Sequence, residues 1–233
     1  MYLLLSLLLP VVIQGTVVKK PNNITTAIGE TVAFECEVEF DNVKLMHWYF
    51  EEKQIYYYYQ GYTEYPEGEI KYHVKVSEKK FTLHIRDPTL KDGGLYTCST
   101  VVEAQSAALF VLDKPIIVLI PPNPVENNTA VFQCRGHFGG PQQKHMSNYE
   151  LPYMKMFFAE GQRHDYIPVE LPQIDGNTLI QEYNSTVNAS MDGLTLGCEF
   201  GMNNPRTISF IKLNILYAPQ NIDCNSGLKT SLV

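Results

Sequence analysis

The stretch Asp92-Gly93-Gly94-Leu95-Tyr96-Thr97-Cys98, read with Cys36 and Trp48 upstream, limits what this chain can fold into more than any other feature. Successive side chains of a strand point to opposite faces, so a Cys98 turned toward a core turns Tyr96 inward with it. The tyrosine hydroxyl is then placed to tie down the loop before it. Around Cys36, Val32, Phe34, Cys36 and Val38 alternate with Glu35, Glu37 and Glu39, the pattern of a strand with one buried and one solvated face. In Leu45–Phe50 an inward Trp48 brings Met46 and Phe50 inward and leaves Leu45, His47 and Tyr49 outward.

The chain has 233 residues, room for a short leader and two domains of about 100 residues each. Hydrophobic residues make up 45% and charged ones 18%, enough apolar side chain for packed cores. Net charge is −7, and with no Lys/Arg stripe to reverse it locally a phosphate backbone is repelled, which excludes nucleic acid. Residues 1–15 are almost wholly apolar and end on Gly15, a run too short to span a membrane and readable as a secretion signal. Four sequons, at Asn23, Asn127, Asn184 and Asn188, point to glycosylation of a secreted chain.

Asp92-x-Gly94-x-Tyr96-x-Cys98 with Cys36 and Trp48 resembles the core of an immunoglobulin domain. The resemblance implies an all-β chain of two tandem immunoglobulin-like Greek-key β-sandwiches after a signal peptide. Residues 16–114 would be a V-type domain, 115–219 a C2/I-type domain and 220–233 a tail. Trp48, Asp92 and Tyr96 are its core markers, and Lys71 stands near where such domains often place an arginine that pairs with the aspartate. It implies disulfides Cys36–Cys98 and Cys134–Cys198 and leaves Cys224 unpaired. Each would close a loop of just over sixty residues, stabilising by roughly 4 kcal/mol in the chain-entropy model. The second domain fits less closely: it has no tryptophan, Met156-Phe157-Phe158 stands in its place, Leu196 replaces the tyrosine, and His137 to Tyr153 reads as a long loop. The tandem resembles the tips of adhesion and guidance receptors such as the nectins, kirre-like proteins and the beaten-path group. A short linker at Asp113–Pro115 favours a semi-rigid arrangement.

Chemistry finds little purchase. The histidines at 47, 73, 84, 137, 145 and 164 lack zinc-ligand spacing, and Cys134, three residues before His137, is wanted for the disulfide. Asp92 and Glu199 read as turn and strand residues, and there is no nucleophile elbow or phosphate loop. Neither a catalytic site, a metal nor a cofactor is expected, and no small-molecule substrate.

Binding has a face to use. In the proposed C–C′–F–G sheet of the first domain, Leu45, His47, Tyr49, Leu95, Thr97 and Ser99 face outward, with at least two of Tyr56, Tyr57, Tyr58 and Tyr59 whichever register holds. Tyrosines supply area and hydrogen bonds at low entropic cost, although a Tyr-rich strand is also simply a good β-former. The sequons would lie on the opposite face and on the second domain. The reading is a recognition or cell-adhesion protein, secreted or on the extracellular side of the plasma membrane, that binds another immunoglobulin-type domain. Homophilic pairing into a homodimer and heterophilic binding stay open. A soluble decoy or immune modulator is the alternative, and a secreted enzyme a distant third.

Overall fold

In the computed structural model, which describes residues 16–39, 45–66, 70–142, 145, 148–161, 163–168, 170–202 and 204–217, the alternating segments become strands of two tandem β-sandwiches. The signal segment 1–15, Cys224 and the tail 220–233 lie outside the described residues. The first sandwich contains β1 (Val17–Lys19), β2 (Ile24–Ala27), β3 (Val32–Val38), β4 (Leu45–Phe50), β5 (Lys53–Tyr59), β6 (Tyr62–Glu64), β7 (Tyr72–Ser77), β8 (Lys80–Ile85), β9 (Gly94–Ser99) and β10 (Ala104–Leu112). One sheet runs β1-β3-β8-β7 and the other β10-β9-β4-β5-β6, with β2 parallel to β10 on its far edge. Thus β4, β5, β9 and β10 are the C, C′, F and G strands of the expectation.

The second sandwich contains β11 (Ile116–Ile120), β12 (Thr129–Gly139), β13 (Tyr153–Glu160), β14 (Arg163–Tyr166), β15 (Gln173–Asp175), β16 (Thr178–Thr186), β17 (Thr195–Gly201) and β18 (Arg206–Lys212). Its sheets run β11-β12-β16-β15 and β14-β13-β17-β18.

Each sandwich is packed around its disulfide, Cys36–Cys98 or Cys134–Cys198. In the first, Trp48 lies opposite Cys98 and is fully buried with Phe34, Tyr96 and Phe81. The Tyr96 hydroxyl donates to the Asp92 carbonyl at 2.9 Å, and burial pushes that phenol strongly up, so the donor stays protonated. The Asp92 carboxylate accepts from the Thr89 amide at 2.7 Å and hydroxyl at 2.8 Å, and Lys71 Nζ sits 2.8 Å from it. The lysine therefore reaches the partner that the arginine of the resemblance would have taken, and donates to the Asp87 carbonyl as well. In the second sandwich Met156 stands opposite Cys198 and Leu196 two residues before it, both buried. An unbranched thioether adapts to the space that an indole would have filled.

The two sandwiches share a seam. The segment from His137, expected as loop, continues β12 to Gly139, and Val111↔Gly139 and Leu112↔Phe138 pair β10 with β12. The strand forms there despite its glycine because the seam gives its backbone groups partners: Asp113 N–H donates to the His137 carbonyl at 3.0 Å. Phe110 stands between Phe138 and Tyr149 at 6.3 and 6.1 Å. Gly139 is needed there, since a Cβ would stand 1.9 Å from the Leu90 carbonyl oxygen. Thr207 and Ser209 donate across to the Asp113 and Pro115 carbonyls.

Candidate recognition face

The outward side of the β5-β4-β9-β10 sheet is set by one irregularity. The register shifts between Trp48↔Tyr56 and Tyr49↔Gln54, so Ile55 is an extra residue and both Ile55 and Tyr56 turn inward. Tyr56 lies directly opposite inward Trp48, and Tyr58 opposite inward Met46. Of the four candidate partner-binding tyrosines, Tyr56 and Tyr58 are thereby corrected to core-facing positions. Tyr56 is fully buried, its hydroxyl without a partner among the described residues, and burial pushes its phenol strongly up. Tyr58 packs edge-on against Phe81 at 5.3 Å.

Tyr57 and Tyr59 face out. They form one ladder with the outward residues of β4: Tyr49 stacks on His47 at 5.6 Å, His47 meets Tyr57 at 5.2 Å, and Tyr57 stacks on Tyr59 at 6.4 Å. His47 Nδ1 lies 3.1 Å from Gln54 Oε1. Burial outweighs that bond and holds its pKa below the ordinary value, so the ring is neutral at physiological pH. Tyr59 is 45% and Tyr62 61% exposed, which leaves the end of the ladder open. Beside it, Leu45 pairs with Tyr59, while Ser99 and Thr97 lie opposite His47 and Tyr49. The Thr97 and Ser106 hydroxyls are joined at 2.7 Å. Exposed Val101 and Val102 form the tip of the β9–β10 hairpin. The face is thus an aromatic ridge flanked by small hydroxyls.

Leu95 faces outward as expected but is not free: it packs against the second sandwich's core cluster, which also covers Ala108, Phe110 and Leu112. The open part of the sheet ends there. Asn23 is also displaced from its expected place. It precedes β2 on the edge of this same sheet, its Oδ1 accepting from the Ala108 amide at 2.9 Å. Asn127, Asn184 and Asn188 are exposed on the second sandwich.

Sequence reasoning missed a second outward cluster, on the β14-β13-β17-β18 sheet. Phe157 points outward yet is fully buried, lying over Gly197 and against His164 at 4.3 Å, Tyr166 at 5.5 Å and Phe210 at 5.9 Å. A Cβ on Gly197 would meet the ring at 2.3 Å. Next to it the buried Glu199 carboxylate accepts from Tyr153 at 2.7 Å, Tyr166 at 3.3 Å and Arg206 at 3.1 Å. Burial and that carboxylate raise Tyr153 to about 12. The one available signal was Phe157 beside the better-placed Met156, with glycine in the facing strand.

Two sandwiches of this topology, each closed by one disulfide, define an immunoglobulin-type tandem. Residues 19–111 match the family model of the immunoglobulin V-set domain. The chain aligns with Roundabout homolog 1 of Mus musculus and of Homo sapiens, 27% identical over 173 residues in each case, covering 67% of this chain. It spans about a tenth of the length of those relatives. A solved structure of Rst D1-D2 superimposes with a TM-score of 0.54 at 16% identity, covering 88% of this chain and 100% of that one, which shows the shared two-domain fold. Residues 19–111 thus form a domain of the immunoglobulin V-set type, and the second sandwich shares the immunoglobulin-type fold.

Proposed function

We propose that this is an extracellular recognition and adhesion protein whose first domain, residues 16–114, binds an immunoglobulin-type domain of another protein by sheet-to-sheet packing. The second domain, residues 115–219, would carry it. The observation that supports this most directly is the ridge Tyr49, His47, Tyr57 and Tyr59, which reaches solvent at an end where nothing of this chain covers it among the described residues. Tyrosine-rich, partly buried ridges are where interface energy concentrates. Leu45, Thr97 and Ser99 provide its flank. Cell-surface or secreted placement agrees with the disulfides, and no helix among the described residues is long and apolar enough to cross a membrane. Glycans at Asn127, Asn184 and Asn188 would leave the ridge open, and one at Asn23 would border its sheet at the β2–β10 edge.

The test pairs Tyr57→Ala with a screen of extracellular immunoglobulin domains, the chain itself included. The substitution should weaken binding of the partner found by more than about 1 kcal/mol while leaving the melting temperature within a degree or so. Unchanged affinity would remove the ridge from the interface. Sedimentation of the chain alone separates the two modes: a dimer disrupted by Tyr57→Ala supports homophilic pairing, and a monomer supports a separate partner.

A further inference from the structure

Along β16 the side chains alternate, so Gln181, buried opposite Cys134, leaves Ile180, Glu182 and Asn184 together on the outward face. These three span about 14 Å of strand. They form one side of a surface groove of about 410 Å³, whose other side is the loop carrying Glu170 and Leu171 together with Gln173 of β15. The loop is held beside the strand because Gln181 Nε2 donates to the Glu170 carbonyl at 3.1 Å. Across the sheet Gln133 Nε2 donates to the Glu182 carboxylate, which fixes that side chain on the groove floor. The strand's own edge is open here: β15 pairs with it only over Thr178–Ile180, and among the described residues no strand continues alongside Gln181 to Asn184. An open edge invites pairing with another chain unless something covers it.

The lining mixes two kinds of group. Glu170 and Glu182 are acceptors and Gln173 is both donor and acceptor, which suits a ligand rich in neutral hydroxyls and repels an acidic one. Leu171, 92% exposed, and Ile180 add an apolar patch that matches the C–H face of a pyranose. One such ligand has its point of attachment within the groove. Asn184-Ser185-Thr186 is a sequon, and the exposed Asn184 is itself a lining residue. A tethered group reaches its seat at high effective concentration, so weak contacts suffice to hold it. Asn188, by contrast, turns its Oδ1 back to cap the Ser190 amide at 3.1 Å.

We propose that this groove is the seat of the chain's own carbohydrate: the innermost N-acetylglucosamine on Asn184 packs over Leu171 and Ile180, its hydroxyls donate to Glu170 and Glu182, and it covers the open edge of β16. The inference rests on the extracellular placement argued above. In the attachment step Asn184 Nδ2 bonds to the anomeric carbon of a lipid diphosphate-linked oligosaccharide. The carbon–oxygen bond to the diphosphate breaks, the lipid diphosphate leaves, and Nδ2 gives up one of its two protons.

The test uses the intact chain secreted from eukaryotic cells and trimmed by endoglycosidase to a single N-acetylglucosamine at each occupied site. Mass spectrometry should find the sugar on Asn184, and its N-acetyl methyl or ring protons should show nuclear Overhauser contacts to the methyls of Leu171 or Ile180. Amide exchange at Glu182 to Asn184 should be about tenfold slower than in Thr186→Val, which loses the sequon, the effect of covering part of a leucine and the edge beside it. Thr186→Ser keeps the sequon and should match the native chain. Should Thr186→Val fail to fold, the Overhauser contacts on the native chain decide. Sugar on Asn184 with no such contacts, or with exchange equal to that of Thr186→Val, overturns the proposal. Sugar on Asn127 or Asn188 with none on Asn184 overturns it too, while leaving the extracellular reading in place; sugar on none of the sequons removes both.

Discussion

The two sandwiches solve one problem with different residues. Around Cys36–Cys98 the first places Trp48 across from Cys98 and anchors Tyr96 on the Asp92 carbonyl; around Cys134–Cys198 the second places Met156 and Leu196 at the same two positions. The topology survives the exchange because the strand period and the disulfide set it, while the core residues need only fill the volume. What changes is where the aromatics go. The first domain buries its large rings and shows a tyrosine ridge, whereas the second covers its outer sheet with Phe157 and ties its tyrosines to Glu199. Its large ring lies outside the sheet over a glycine rather than inside it.

Substitution at the paired positions probes that exchange directly. Trp48→Ala should destabilise the first sandwich by about 3–5 kcal/mol and Met156→Ala the second by about 2–5 kcal/mol, read by chemical denaturation. Because Trp48 is the sole tryptophan, its fluorescence in Met156→Ala reports on the first domain alone. If the β10–β12 seam couples the sandwiches, that signal shifts with the second domain; independent transitions would break the picture of one semi-rigid unit. Gly139→Ala attacks the seam itself and should cost about 1–3 kcal/mol, the usual penalty of overpacking, while splitting a shared calorimetric transition into two. A single unchanged transition would show that the Leu90 contact yields without cost.

Smaller effects sharpen the contrast. Tyr96→Phe deletes a buried hydrogen bond for which the second domain, with Leu196, has no counterpart, and should cost about 0.5–1.5 kcal/mol in the first domain only. The smallest effect is expected from pH. Burial holds His47 and His84 below their ordinary 6.5, with His73, Lys75 and Arg86 adding to the effect at His84. The unfolded chain therefore takes up those protons first. First-domain stability should be level above pH 6.5 and fall as pH drops below it, and His47→Gln with His84→Gln should flatten the acid limb. A limb of unchanged steepness in the double variant would assign the acid sensitivity to other groups.

Much of the first domain was legible because its signals are local. Val32, Phe34, Cys36 and Val38 declare a half-buried strand by alternation, and Tyr96 with Cys98 fixes the facing one. Even the Lys71–Asp92 pair lay within reach of the resemblance. The site was legible only in part: His47, Tyr49, Tyr57 and Tyr59 stand outward, but the four-tyrosine run could not tell which of its members would join them. In the second domain the glycine- and proline-rich composition near Gly139 suggested a loop, because composition does not report that another strand's edge is waiting for it.

By itself, then, the sequence determined the strands, the disulfide-centred cores and the tandem order, since alternation and spacing are properties of the chain alone. Three features depended on contacts between segments far apart in sequence. The extra residue at Ile55 chose the outward tyrosines against Trp48 and Met46 across the sheet. The seam turned His137–Gly139 into strand and covered Leu95. Pairing of β16 with β12 buried Gln181 opposite Cys134, where its Nε2 donates to the Glu170 carbonyl.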